Sequence, residues 1–136
     1  MLNSIPLVMV LCLLVSHWLA DFVAQTDKMA VNKSSSNYWL TVHVVVYTVV
    51  IFAATMFFNI VFYYLVVTPL VALVVLKWSI LNGLLHWPTD YVTSRINSLL
   101  WKNEQRHWFF VMIGFDQIIH YTCLFVTFSY IGTLLI

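Results

Sequence analysis

Residues 42–58 read VHVVVYTVVIFAATMFF. As a helix this run covers most of a hydrocarbon core about 30 Å thick, and it lacks the polar face that a soluble amphipathic helix repeats every 3.6 residues. Its surroundings are of the same kind. The chain is 62% apolar and 8% charged, with a mean hydropathy of +0.93, against roughly 45–50% apolar content in soluble domains. The sequence therefore predicts an all-α integral membrane protein with the lipid bilayer as its first partner, in one helical domain over residues 1–136.

Working outward, four apolar segments stand at 5–24, 40–58, 60–85 and 108–135, which predicts a four-helix transmembrane bundle. Only Asn59 separates the second segment from the third, so a tight turn is expected there. The third segment is expected to be irregular or kinked. It holds Pro69 and Lys77, and Trp87-Pro88 disfavours continuous helix because the residue before a proline is pushed out of the helical region. Residues 78–98 then form either its continuation or a separate interfacial helix. The first segment has no Lys or Arg before Lys28 and carries His17 and Asp21 where a signal peptide would place small residues, so it reads as a retained helix. Cys12 and Cys123 fall on separate segments and read as free buried thiols.

Lys28, Lys33, Arg95, Lys102 and Arg106 all lie in the two polar loops that emerge on one side. By the positive-inside rule that side is cytoplasmic and both termini are outside. The net charge of +1 and the absence of a basic run exclude nucleic acid as a partner.

Three His/Asp pairs at helical i, i+4 spacing lie within these apolar segments: His17/Asp21, His86/Asp90 and Asp116/His120. Random placement of the same residues yields about 0.3 such pairs. The spacing puts both groups of a pair on one face of a helix, and ionisable groups inside a membrane are costly enough to mark function. In an up-down bundle all three pairs fall at one depth, toward the cytoplasmic half. Imidazole and carboxylate together are the ligand set of zinc, iron and manganese. His17, Asp21, His86, Asp90, Asp116 and His120 are thus the expected metal ligands, with Asp21, Asp90 and Asp116 the candidate catalytic carboxylates and a divalent metal, zinc or manganese, the expected cofactor. One ion with supporting carboxylates and two ions sharing a carboxylate both fit the spacing. Gln25, His43, Asn82 and Gln117 flank the pairs and are read as groups that orient the ligands. Lys28 and Arg95 are read as cations that hold an anionic or lipid-linked substrate.

The string His17-Trp-Leu-Ala-Asp21-Phe22-Val-Ala-Gln25, then His43, Asn82-x3-His86-x3-Asp90 and Phe115-Asp116-Gln117-x2-His120 resembles a family of small bacterial and phage membrane proteins filed as domain of unknown function 3307. The resemblance implies a bacterial inner-membrane location and no assigned activity. The basic position it places after Asp90 is met by Arg95 one residue off. A looser likeness of type links the pattern to membrane-bound metal-dependent hydrolases.

Three functions compete on this reading. One is a metal-dependent hydrolase at the cytoplasmic face. The second is a transporter or channel using the cluster as a proton or cation relay, and the third is an interaction protein with a structural metal site. Polar groups are sparse in the outer halves of the segments, which favours a one-sided site over a through-path. The sequence leaves a homo-oligomer open.

Overall fold

The computed structural model describes residues 6–63 and 68–132, and every regular element among them is helical. Helix α1, Leu7–Trp18, follows the extended Pro6 and runs directly into a π-helical turn, Leu19–Val23. The Ala24 N–H closes that turn by donating to the Leu19 carbonyl at 2.8 Å. A π turn adds a residue to the helical register and re-aims side chains. Here it leaves Ala20 and Asp21 both buried. Helix α2, Asp27–Asn32, is capped by Thr26, whose hydroxyl accepts from the Met29 N–H.

Three long helices follow: α3, Asn37–Tyr63, α4, Pro69–Lys102, and α5, Arg106–Gly132. Each is long and apolar enough to cross a membrane, whereas Leu7–Val23 makes a shorter apolar helix. The bundle fits an integral membrane protein, with many large apolar side chains of the three long helices turned outward, among them Val45, Val49, Leu73, Leu84, Ile118 and Val126.

Two expectations about the middle of the chain are corrected. Asn59 makes no turn. It lies inside α3 with its side-chain amide donating to the Thr55 carbonyl at 2.7 Å, so its polarity is satisfied one helical turn back. The start signal is instead Thr68-Pro69. Thr68 caps the Val71 N–H at 3.2 Å, and Pro69 takes the first turn, where a missing N–H costs nothing. The third segment also does not break at Trp87-Pro88. Pro88 removes one rung from the hydrogen-bond ladder of α4 without ending it, and residues 78–98 belong to one continuous helix.

Helix α4 is the centre of the bundle, packed on α3 along one side and α5 along another, while α1 lies against α3 and α5 and, among the described residues, α2 lies against α3 alone. Gly83 permits the α3–α4 approach, since a Cβ there would collide with the Thr48 hydroxyl. Leu13, Ile51, Trp78 and Leu124 form the closed apolar core. Ile51 and Trp78 stand eight residues along their helices from His43 and His86, or about 12 Å at 1.5 Å per residue. The apolar core thus lies to one side of the polar cluster along the bundle.

Candidate metal centre

The π turn and the three long helices each deliver part of one buried cluster. The π turn supplies Asp21, α3 supplies His43, α4 supplies His86 and Asp90, and α5 supplies Asp116 and His120. His43 and His86 are 0% and 1% exposed. Their Nε2 atoms face each other at 3.2 Å. Two ring nitrogens at that distance need a proton or a cation between them. Asp21 Oδ1 lies 3.1 Å from His43 Nε2 and 3.5 Å from His86 Nε2. Asp90 Oδ2 is 3.4 Å from His43 Nε2, and Asp90 Oδ1 is 3.4 Å from His86 Nε2. Four ligands around a tetrahedral zinc at about 2.0–2.1 Å stand roughly 3.3–3.4 Å apart. The separations here bracket that edge length, and the donors are of the right chemical types.

Stacking holds the rings in place. His86 lies between Tyr47 and His120, each with its ring centroid 4.0 Å away and tilts of 25° and 21°. The Nδ1 atoms of His43 and His86 have no hydrogen-bond partner among the described residues, so packing and the polar contacts of Nε2 orient these two imidazoles toward the centre. His120 Nε2 contacts Asp90 Oδ1 at 3.1 Å and Asp116 Oδ1 at 3.3 Å. Thr93 donates to Asp116 Oδ1 at 2.6 Å, and the Gln117 amide donates to Asp116 Oδ2 and Asp21 Oδ2 at 3.1 and 3.2 Å.

The remaining residues singled out from the sequence fall in different places. His17 is fully buried but turns its Nε2 to Gln117 Oε1 at 3.0 Å and its Nδ1 to the Tyr47 hydroxyl at 3.3 Å, standing 3.7 Å from Asp21. It borders the cluster and belongs to neither of its two tight ligand groups among the described residues. Asn82 bonds away from the centre, to the Trp78 carbonyl and Thr127. Gln25 lines the adjoining cavity. Lys28 is exposed on α2. Arg95 is held elsewhere, donating to Asn37 Oδ1 and the Tyr91 carbonyl and stacking on the Tyr91 ring.

The cation that does reach the cluster is Lys33, which the sequence marks only as a loop charge. The loop after α2 folds over the bundle end and brings Lys33 Nζ to 2.8 Å from Asp90 Oδ2, 3.9 Å from Asp21 Oδ1 and 3.4 Å from His43 Nε2. Burial works to lower the pKa of this ammonium. The charges of Asp90 and Asp21 and the hydrogen bond to Asp90 outweigh it and hold the group above the usual lysine value. Three carboxylates against one ammonium leave two negative charges in the cluster when the imidazoles are neutral, the charge that a divalent ion balances.

A cavity of about 540 Å³ opens from the cluster toward the loop side of the bundle. Its floor is Asp21, Lys33, Asp90 and Asp116, and its apolar walls include Phe22 and Val31 on one side and Phe109 and Ile113 on the other. Buried donor and acceptor atoms on its walls, Gln25 Oε1, Ser94 Oγ and Asn97 Oδ1, have no partner among the described residues. Asp116, with its side chain 13% exposed, is the most accessible of the three carboxylates.

No curated protein and no solved structure matches the chain. A family model described as protein of unknown function matches residues 9–135. That match takes in every residue of the cluster from His17 to His120, and the chain belongs to the DUF3307 family.

Proposed function

We propose that this protein is a divalent-metal-dependent membrane hydrolase whose site opens at the cytoplasmic end of the bundle and takes an anionic, lipid-linked substrate. The observation that carries the reading is the set Asp21, His43, His86 and Asp90, whose ligand atoms all lie within 4.8 Å of one another while their side chains are almost fully buried. Zinc or manganese suits this mixed nitrogen and oxygen set. A metal held there would supply a Lewis acid and a water made acidic enough to attack at neutral pH.

The chain's own groups cover the rest. Asp116, oriented by Thr93 and Gln117, stands on the cavity floor where its carboxylate can hold an entering water by a hydrogen bond. Lys33 supplies positive charge to an anionic group entering the cavity, and the walls at Phe22, Val31, Phe109 and Ile113 suit an acyl or prenyl chain beside a polar head. The apolar core across the bundle supports a one-sided site over a relay.

The test is hydrolysis by purified protein in detergent micelles, with chromogenic phosphate and acyl esters as probes. Activity should vanish in chelator, return with zinc or manganese, and be absent in His86→Ala. Full activity in chelator, or in His86→Ala, sinks the reading.

A further inference from the structure

We infer that the cluster is built for two divalent cations, with Asp21 shared between them; this rests on the metal-centre reading above and extends it. A second group, Asp21, Asp116 and His120, also brings its ligand atoms within 4.8 Å of one another. Asp21 is common to both groups, and its two oxygens point to different sides. Oδ1 faces His43 and His86 at 3.1 and 3.5 Å, whereas Oδ2 faces the Gln117 amide at 3.2 Å on the side of Asp116. Asp90 is not divided in this way, since Oδ2 is turned to Lys33 and His43 while Oδ1 stands 3.4 Å from His86 and 3.1 Å from His120. A carboxylate that turns one oxygen to each of two ligand groups is the arrangement that bridges paired ions.

The rings set a matching scale. His86 and His120 are stacked 4.0 Å apart and nearly parallel, and each belongs to a different ligand group. Ions bound one to each ring fall near the separation of about 3.5–4 Å found in two-metal sites.

The two groups differ in what they leave open. The first offers four protein ligands and the second three, so the second keeps the more open position for water or substrate. Asp21 and Asp116, two of its three members, face the cavity. Charge then selects the substrate class. Three carboxylates and Lys33 with one divalent ion sum to zero, and with a second ion to two positive charges, which a phosphoryl group neutralises and a neutral acyl ester does not. The geometry thus points to a phosphate ester as the ligand that spans the second ion and Lys33.

Metal stoichiometry decides the matter. The full chain in detergent micelles is loaded with Mn²⁺, desalted, and measured by elemental analysis and by electron paramagnetic resonance. We expect two ions per chain and an exchange-coupled signal in the wild type. Asp116→Asn, which keeps the shape of the side chain, and His120→Ala should each hold one ion and give the signal of isolated Mn²⁺. One ion per chain in the wild type, with no coupled signal, overturns the paired site and leaves the single metal centre standing. No bound ion overturns both, and two ions retained in Asp116→Asn and His120→Ala alike places the second ion elsewhere and overturns the assignment of its ligands.

Discussion

Lys33 and a metal ion compete for the same carboxylates, so replacing Lys33 by Met should tighten metal binding while weakening the metal-free protein. The ammonium lies 2.8 Å from Asp90 Oδ2, which is also 3.4 Å from His43 Nε2. Among the described residues it is the only Lys or Arg within 4.0 Å of a carboxylate of the cluster. A hydrogen bond to a charged group contributes about 1.5–3 kcal/mol. An ion entering the first group displaces that bond in the wild type and not in Lys33→Met. At 1.4 kcal/mol per factor of ten, the Kd should fall by roughly 10- to 100-fold. The metal-free variant keeps two buried carboxylates without their ammonium, and removing one partner of a buried pair costs about 3–5 kcal/mol. Its melting temperature in chelator should therefore drop clearly below that of the wild type, and saturating metal should close most of the gap.

Competition against a chromogenic zinc chelator in detergent at pH 7.5 measures the affinity, and tryptophan fluorescence on heating measures the stability. The pH dependence has a definite sign. The folded-state pKa of Lys33 is raised above its ordinary value of 10.5. Its contribution to stability is thus fully present below about 10.5 and is lost only as pH rises through the higher folded value. The difference between wild type and variant should be flat through neutral and mildly alkaline pH. An unchanged or weaker zinc affinity in Lys33→Met would refute the competition.

Gly83→Ala should lower thermal stability by about 1–3 kcal/mol, the range for overpacking a tight contact, because the new methyl meets the Thr48 hydroxyl; adding Thr48→Ala should restore most of the loss in a melting experiment. Cysteines introduced at Ser35 and Asn103, both exposed, should resist impermeant thiol reagents in intact cells, and labelling of either from outside reverses the proposed orientation. Zinc affinity should weaken in acid, because coordinating imidazoles must be neutral and binding releases any protons they hold. Titration calorimetry in two buffers of different ionisation enthalpy reads that release, and its absence across the acid range would mean that His43 and His86 are not the ligands.

The pairs were legible because their partners are local. An i, i+4 spacing is a statement about one helix, and the three spacings hold in the bundle at 3.7, 3.4 and 3.3 Å. The polar contacts of His43 come from the π turn, from α4 and from Lys33 after α2, and none from its own helix among the described residues. Its neighbours in sequence are valines, which is why it reads there as a supporting group although its Nε2 sits at the centre. Lys33 is harder still, because a residue in a polar loop carries no periodicity, and only the fold of the loop over the bundle end puts its ammonium beside Asp90.

Helical geometry also explains why Arg95 does not reach the site. Five residues beyond Asp90, it is rotated by roughly 140° at 100° per residue, which turns it off the face that Asp90 presents inward. Ser94, four residues on, stays on that face and lines the cavity. His17 shows the opposite case, in which correct spacing is not enough. The π turn begins between it and Asp21, and the carboxylate directs its Oδ1 to His43 while His17 is taken up by Gln117 and Tyr47. A sequence pattern can thus place ionisable groups on one face of one helix. Which nitrogen and which oxygen then share a centre depends on the register between helices, set here by the close approach at Gly83 and the extra residue of the π turn.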